Sequence, residues 1–199
     1  MRRREGEDRL LTLPNVITSI RLLLIPVFVW LLFGRNDQAG AAVLLAFLGS
    51  TDWVDGTIAR KFNQVSNLGK VLDPVADRLL LGTAVISILV KGAVPAVIAI
   101  PVVGREILVS LAVLVLAALG AKRIDVTWAG KMATFANMVA FPLFLLSHDH
   151  AFSLRGPTKA VAVVISIVGI AFGYYSLAKY VPIGMNALRE GRAARDAKT

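Results

Sequence analysis

The chain has 199 residues, of which 56% are hydrophobic and only 18% are charged, and its mean hydropathy is +0.69. Soluble globular chains contain about 45–50% apolar and about 25% charged residues, so this composition excludes an ordinary soluble domain and indicates residues that face lipid. The net charge of the chain is +9. In a membrane protein such an excess of Lys and Arg usually lies in cytoplasmic loops beside anionic headgroups, so it does not indicate nucleic-acid binding. The chain contains no cysteine and only two histidines, which excludes disulfides, thiol catalysis, iron–sulfur clusters and His-rich metal sites.

Six apolar stretches are each long enough to cross about 30 Å of hydrocarbon as a helix, which takes about 20 residues. The sequence therefore predicts an all-α integral membrane protein with six transmembrane helices. The predicted spans cover approximately residues 16–33, 39–61, 68–90, 94–119, 128–147 and 158–180.

The predicted domain organisation follows from these spans. Residues 1–15 form a basic N-terminal segment, in which residues 8–15 either lie along the membrane interface or form a flexible end. Residues 16–188 form the six-helix domain, and residues 189–199 form a basic C-terminal tail that is expected to fray.

The distribution of Lys and Arg predicts the orientation. With six spans both termini are on the same side, and that side carries 15 of the 22 Lys and Arg residues. Three others lie inside spans, namely Arg21, Arg78 and Arg105. The opposite side carries the remaining four, which are Arg35, Lys91, Arg155 and Lys159. The positive-inside rule therefore places both termini in the cytoplasm, as expected for a multi-pass protein of the plasma membrane.

Five of the 13 acidic residues lie inside predicted spans, where a charged side chain at the helix centre costs about 2.5–3.5 kcal/mol. They are Asp52, Asp55, Asp73, Asp77 and Glu106. Asp52 and Asp55 share one helix face with Ala59, whereas Asp73 and Asp77 share a face of the next helix. Consecutive helices joined by a short loop are antiparallel neighbours, so we expect the two carboxylate pairs to converge in the cytoplasmic half of the membrane.

Four converging carboxylates would repel one another unless cations neutralised them. Oxygen ligands favour hard cations, so Mg²⁺ or Mn²⁺ is the expected occupant, as one ion or as a pair that could clamp a phosphoryl group. Gly49, Gly56 and Gly69 would let a bulky diphosphate approach the backbone. Arg60 would either bind a phosphate oxygen or serve as a snorkelling interfacial anchor.

The acids alone leave other functions open. Intramembrane aspartates are also typical of cation and proton transporters, which is the competing interpretation. A non-catalytic membrane scaffold is a third.

Residues 52–77 read D-x-x-D-G-x-x-A-R-x8-G-x3-D-x3-D, and this spacing resembles the signature of the CDP-alcohol phosphatidyltransferases. The resemblance implies a phospholipid-synthesising enzyme that transfers a phosphatidyl group from CDP-diacylglycerol to an alcohol and releases CMP. It also implies six transmembrane helices around a polar cavity open to the cytoplasm, often in a homodimer.

The same resemblance implies residue roles at the matching positions. It implies divalent-metal ligands at Asp52, Asp55, Asp73 and Asp77, with Asp77 also acting as the general base. It implies a site for the CDP-diacylglycerol at Gly56, Ala59, Arg60 and Gly69, where the small residues make room and Arg60 binds the diphosphate.

Three further stretches indicate which branch of the family the chain resembles. TLPNVITSIRLLLIPVF near the start, GREI at 104–107 and WAGKMATF at 128–135 resemble the branch that contains bacterial phosphatidylglycerophosphate synthases and cardiolipin synthases. Arg105 would bind the phosphate of the acceptor with Glu106 orienting it, or the two would form a structural ion pair. Lys131 is a second candidate for the acceptor phosphate, or an interfacial anchor.

The acceptor remains open between glycerol 3-phosphate and phosphatidylglycerol. Phosphatidylglycerophosphate synthases often carry a Lys where this chain has Ala133, and the stretch GKMATFANMVAFPLFLLS is similar to actinobacterial cardiolipin synthases. Both acceptors present a glycerol hydroxyl near a phosphate, so Arg105 and Lys131 would serve either.

Overall fold

A computed structural model describes residues 13–62, 69–119 and 127–196, and every regular element in these ranges is a helix. The elements are α1 (Leu13–Val29), a π-helical turn (Trp30–Gly34), α2 (Gln38–Phe62), α3 (Gly69–Val90), α4 (Ala96–Ala118), α5 (Trp128–His148) and α6 (Arg155–Asp196). The predicted all-α class is therefore confirmed for the described part of the chain.

The chain divides into two compact units. The first comprises residues 1–94 and 141–159, and in it α1 packs against both α2 and α3. Its core consists of large apolar side chains that are almost completely buried, including Phe28, Leu32, Leu48, Ile88 and Phe144. Helix α1 is thus the element that joins the two helices carrying the aspartates.

Specific residues cap the start of α2 and the end of α3 in the first unit. Asn36 adopts a positive φ of 54°, and Asp37 then caps α2 by accepting a hydrogen bond from the Gly40 backbone N–H at 2.7 Å. Helix α3 ends at Val90, and Gly92 follows with a φ of 70°. The backbone N–H groups of Gly92 and Ala93 donate to the carbonyls of Leu89 and Ile88, which is the Schellman pattern.

The second unit comprises residues 95–140 and 160–199, and small residues allow its helices to approach closely. A Cβ atom on Gly169 of α6 would lie 2.9 Å from the Ala136 Cβ of α5. A Cβ atom on Gly184 would lie 2.8 Å from a methyl group of Leu116 on α4. Such glycines are typical of helix packing in membranes, where close backbone approach replaces the hydrophobic effect.

Three described helices are long and apolar enough to cross a membrane, namely Ala96–Leu116, Trp128–His148 and Arg155–Glu190. They correspond to the fourth, fifth and sixth predicted spans. The apolar helical stretches Thr18–Gly34, Gln38–Thr51 and Leu79–Val90 are shorter. Many large apolar side chains point outward; Val97 on α4, for example, is 77% exposed, as expected for a lipid-facing surface.

Two boundaries differ from the sequence-based expectation. The first predicted span, 16–33, is not one regular helix, because the α-helical pattern ends at Val29 and a π-helical turn follows. The sixth predicted span ended at residue 180 with a tail that frays, yet α6 continues to Asp196. Apolar length sets the end of a span, whereas the Ala, Leu, Arg and Glu residues beyond it are good helix formers and extend the backbone pattern.

Candidate functional site

The four aspartates of the signature lie on helical backbone, as their spacing predicted. Asp52 and Asp55 are on α2, and Asp73 and Asp77 are on α3. The i,i+3 and i,i+4 spacings therefore place each pair on one face of its helix. The side chains at these positions, and at Gly56, Ala59, Arg60 and Gly69, are outside the described residues. No metal-binding cluster of three or more acidic or histidine side chains occurs among the side chains that are described.

A buried cation lies in the helix that packs against both acidic helices. Arg21 of α1 is only 2% exposed, and Thr18, one turn earlier, is 3% exposed. Because α1 and its π-helical turn are joined to α2 by residues 35–37 and the two helices pack together, they run antiparallel. Arg21 lies 15 residues before Asn36 and Asp52 lies 16 residues after it, so both are at about the same depth.

Arg21 is a functional candidate that the sequence interpretation did not assign. The sequence does contain an indication of this role, because a charged residue inside a transmembrane span has a high insertion free energy and therefore needs a partner or a function. The packing of α1 supplies what the sequence could not, namely that this span contacts both helices that carry the signature.

The donor set of the signature fits a divalent metal. Four carboxylates on two helices supply only hard oxygen ligands, which match Mg²⁺ and Mn²⁺ and leave positions for water or phosphate oxygens. The positive charge of the ions would also compensate four acids in a low-dielectric segment, where uncompensated carboxylates would take up protons instead.

A second polar cluster is formed in the second unit around Arg105. This side chain is 6% exposed, and its Nη1 atom donates a hydrogen bond to Glu106 Oε1. The predicted pairing of these two residues is thus observed. An ion pair in such a buried position leaves the remaining guanidinium N–H groups available to other acceptors.

The start of α5 lies beside the Arg105 guanidinium. Thr127 caps this helix, because its Oγ1 accepts a hydrogen bond from the Gly130 N–H at 3.1 Å, and the same hydroxyl lies 2.5 Å from Ser176 Oγ of α6. A Cβ atom on Gly130 would lie 3.4 Å from Arg105 Nη2 and 3.0 Å from Ser176 Oγ. The Arg105 guanidinium therefore lies beside a helix N-terminus, where backbone N–H groups favour anions.

Lys131 follows Gly130 in the first turn of α5 and is exposed. Its position adds a second positive charge to the helix end that Arg105 approaches. The structure therefore brings the two predicted acceptor-binding residues to neighbouring parts of the same unit.

A small cavity adjoins Arg105. Its volume is about 10 Å³, which is the size needed for one water molecule. The lining includes Arg105 and Asn137, and the buried atoms Arg105 Nε and Asn137 Oδ1 have no hydrogen-bond partner among the described protein atoms. A single water could therefore join the donor to the acceptor, so Asn137 is a positioning candidate that the sequence interpretation missed.

Comparison with known proteins agrees with the signature on α2 and α3. The profile of the family described as CDP-alcohol phosphatidyltransferase matches residues 11–175. A protein of Streptomyces coelicolor named cardiolipin synthase (CMP-forming) is 35% identical over 178 residues, which cover 87% of this chain and 79% of the relative. A Bacillus subtilis protein named CDP-diacylglycerol–glycerol-3-phosphate 3-phosphatidyltransferase is 36% identical over 156 residues, covering 71% of this chain and 80% of the relative.

Proposed function

Because the chain belongs to the CDP-alcohol phosphatidyltransferase family, we propose that it transfers the phosphatidyl group of CDP-diacylglycerol to a glycerol-type alcohol and releases CMP. The observation that carries this proposal is the eight-position signature, whose acidic pairs fall on one face each of α2 and α3. The preferred acceptor is glycerol 3-phosphate, the substrate that the name of the Bacillus subtilis relative gives for that protein.

The proposed setting is the plasma membrane, with six membrane-crossing helices in residues 16–188 and both termini in the cytoplasm. The three long apolar helices and the excess of Lys and Arg on the side of the termini support it. The catalytic cavity then opens to the cytoplasm, and a homodimer is the proposed assembly.

In the proposed reaction the acceptor hydroxyl oxygen attacks the phosphorus that bears the diacylglycerol group. The bond from that phosphorus to the oxygen of CMP breaks, and CMP leaves with the electron pair. Asp77 takes the proton of the hydroxyl, since a carboxylate beside the reacting group can act as general base. Asp52, Asp55, Asp73 and Asp77 would hold one or two Mg²⁺ or Mn²⁺ ions, which would supply positive charge beside the phosphate oxygens.

The donor is held beside these acids in the proposal. Gly56, Ala59 and Gly69 leave room for the cytidine and the diphosphate, and Arg60 binds a diphosphate oxygen. Arg21, buried on α1 at the depth of Asp52, supplies a further cation to the same group of acids and phosphates.

The acceptor phosphate is bound by the second unit in the proposal. Arg105 Nη2 approaches the α5 N-terminus at Gly130, and Lys131 adds charge in the same turn. Guanidinium groups bind phosphate oxygens with directed N–H donors, and a helix N-terminus provides further N–H groups. The pair with Glu106 would fix the plane of the guanidinium in this role.

Phosphatidylglycerol is the second candidate acceptor. It is favoured by the relative named cardiolipin synthase, which aligns with 87% of this chain. Both acceptors offer a primary hydroxyl of a glycerol unit that also carries a phosphate, so the same cations would serve.

An acceptor panel tests the proposal. The purified protein is supplied with CDP-diacylglycerol, Mg²⁺ or Mn²⁺, and either glycerol 3-phosphate or phosphatidylglycerol, and CMP and lipid products are quantified by mass spectrometry. Phosphatidylglycerophosphate is the expected product. Cardiolipin as the sole product would identify the second acceptor, and absence of CMP with every alcohol would overturn the proposed activity.

A further inference from the structure

A second cavity lies in the first unit, away from the signature. Its volume is about 260 Å³, and it is lined by Ala93, Ser147, His148, Arg155, Gly156 and Lys159. Ala93 follows the end of α3, whereas Asp77 lies 13 residues before that end at Val90, about 20 Å along the helix. The cavity is therefore separate from the proposed catalytic acids.

Positive charge is concentrated around this cavity. Arg155 and Lys159 line it, and both of them and Lys91 are close enough to interact electrostatically with His148. Lys91 Nζ is held 2.8 Å from Asn36 Oδ1, and Arg155 Nε donates to the Ser147 carbonyl at 3.4 Å. Both of these acceptors are neutral, so neither cancels the charge of the cation.

Carboxylates do not neutralise this cluster within the described ranges. None of the three cations forms a salt bridge with an acidic side chain there. Asp149, the acid adjacent in sequence to His148, accepts a hydrogen bond from the Ala151 backbone N–H at 2.8 Å. An anion from outside the chain is therefore the natural counter-charge.

The location makes the cluster unusual. In the predicted topology only four Lys and Arg residues lie on the side opposite the termini. Two of those four, Arg155 and Lys159, line this cavity, and a third, Lys91, is close enough to interact with His148 at its lining. The positive-inside rule accounts for cations on the cytoplasmic side but gives no reason to gather them on this one. The fourth, Arg35, lies over the Trp30 ring, 5.3 Å from its centroid, and Lys91 lies over the Phe33 ring at 5.0 Å.

We infer that this cavity binds a phosphate group. The Arg155 guanidinium and the Lys159 ammonium provide charged, directional donors to a tetrahedral oxyanion, and the His148 imidazole provides a further N–H donor. Gly156 at the lining leaves open space where a side chain would stand. Exposed apolar side chains nearby in the chain, such as Leu154 and Val161, would suit the acyl chains of an anionic phospholipid, although a free phosphate ion shares the same headgroup chemistry.

Thermal unfolding of the purified protein in a maltoside detergent tests this inference. The Tm is measured with inorganic phosphate, with sodium chloride at equal ionic strength, and with mixed micelles containing phosphatidylglycerol or phosphatidylcholine. Binding to the folded state raises the Tm with ligand concentration. The variant is R155Q/K159Q, and the matched control is R35Q, which removes a cation of the same predicted side from the Trp30 ring.

Phosphatidylglycerol should raise the Tm of the wild type and of R35Q, and R155Q/K159Q should lose at least half of that rise. An equal rise with inorganic phosphate would identify the free ion as ligand, and a rise with the lipid alone would identify the headgroup. Any lipid bound at the catalytic site contributes equally to all three proteins. A full rise in R155Q/K159Q, or an equal rise with sodium chloride, would overturn the inference.

Two readouts keep this test independent of the proposed activity. CMP release by R155Q/K159Q should match the wild type, because neither residue belongs to the proposed catalytic machinery. Failure of CMP release in every protein would count against the proposed function and would leave the Tm comparison intact. If the double variant does not fold, K159Q alone gives the same comparison.

Discussion

The hydroxyl oxygens of Thr127 and Ser176 lie 2.5 Å apart, and this contact ties the cap of α5 to α6. Both hydroxyls lie next to Gly130, the position that Arg105 Nη2 approaches. The hydrogen bond therefore fixes the local geometry of the proposed acceptor site, although neither residue carries a charge.

Replacing Ser176 should weaken this geometry. Ser176 is completely buried, so S176A should cost about 1 kcal/mol of unfolding free energy and raise the KM for the acceptor more than the KM for CDP-diacylglycerol. The matched control is S166A, because Ser166 is equally buried on α6 but its Oγ has no hydrogen-bond partner among described atoms. Equal effects of the two variants on acceptor KM would contradict the assigned role.

A methyl group at Gly130 should disturb the acceptor site by steric contact, without removing a hydrogen bond. In G130A the new Cβ would lie 3.0 Å from Ser176 Oγ and 3.3 Å from Thr127 Oγ1, so these two hydroxyls must give way by a few tenths of an ångström beside Arg105. We expect a several-fold rise in acceptor KM, measured by CMP release against acceptor concentration. G82A is the control, since a Cβ there meets nothing within 4 Å and Ala is the better helix former. An unchanged KM in G130A would show that this helix end is not part of the acceptor site.

Substitution of Arg105 distinguishes a role in binding the acceptor from a purely structural role. R105K keeps the positive charge but loses the planar set of donors, so the KM for the acceptor should rise at least tenfold while the KM for CDP-diacylglycerol changes little. A merely structural pair with Glu106 would instead lower the Tm and leave the two KM values in their original ratio. Steady-state kinetics with each substrate varied in turn distinguishes the two outcomes.

Asp77 should be indispensable for the chemical step. D77N removes the proposed base and should lower kcat by about 10²-fold or more, which is typical for loss of general acid–base catalysis. D37N is the matched control, because Asp37 caps α2 through Oδ1 and Asn is an equally good cap. Near-normal CMP release by D77N would refute the base assignment.

Removal of divalent cations should abolish activity reversibly. The proposed ligands are oxygens alone, so EDTA should stop CMP release, and excess Mg²⁺ or Mn²⁺ should restore it. The measurement is CMP release before chelation, after chelation and after each addition. Turnover that persists in EDTA would remove the metal ions from the proposed mechanism.

The helices that carry the signature could be predicted because their information is local. Apolar length indicates a helix, and spacings of three and four residues place Asp52 with Asp55 and Asp73 with Asp77 whatever the tertiary structure is. The pairing of Arg105 with Glu106 was accessible for the same reason, since adjacent opposite charges in an apolar span have few other partners. The family assignment, drawn from the same spacing, is confirmed by the match over residues 11–175.

Contacts between distant segments could not be predicted in this way. Ser176 lies 49 residues from Thr127, and Asn137 shares a cavity with Arg105 only because α4, α5 and α6 pack together. Serine and asparagine are also unremarkable in a membrane helix until their neighbours are known. The end of α6 was misplaced for a different reason, because hydropathy reports where lipid ends and not where the backbone hydrogen-bond pattern ends.

The length of α6 has a consequence for handling the protein. Its 42 residues make a helix about 63 Å long. In the proposed membrane setting the hydrocarbon core is about 30 Å thick, so at least a third of α6 would extend beyond the hydrocarbon even at a steep tilt. The C-terminal part of that extension would provide a spacer between the bilayer and anything fused after Asp196. An affinity handle or fluorescent reporter attached there would be reachable by antibodies and resins without entering the detergent belt.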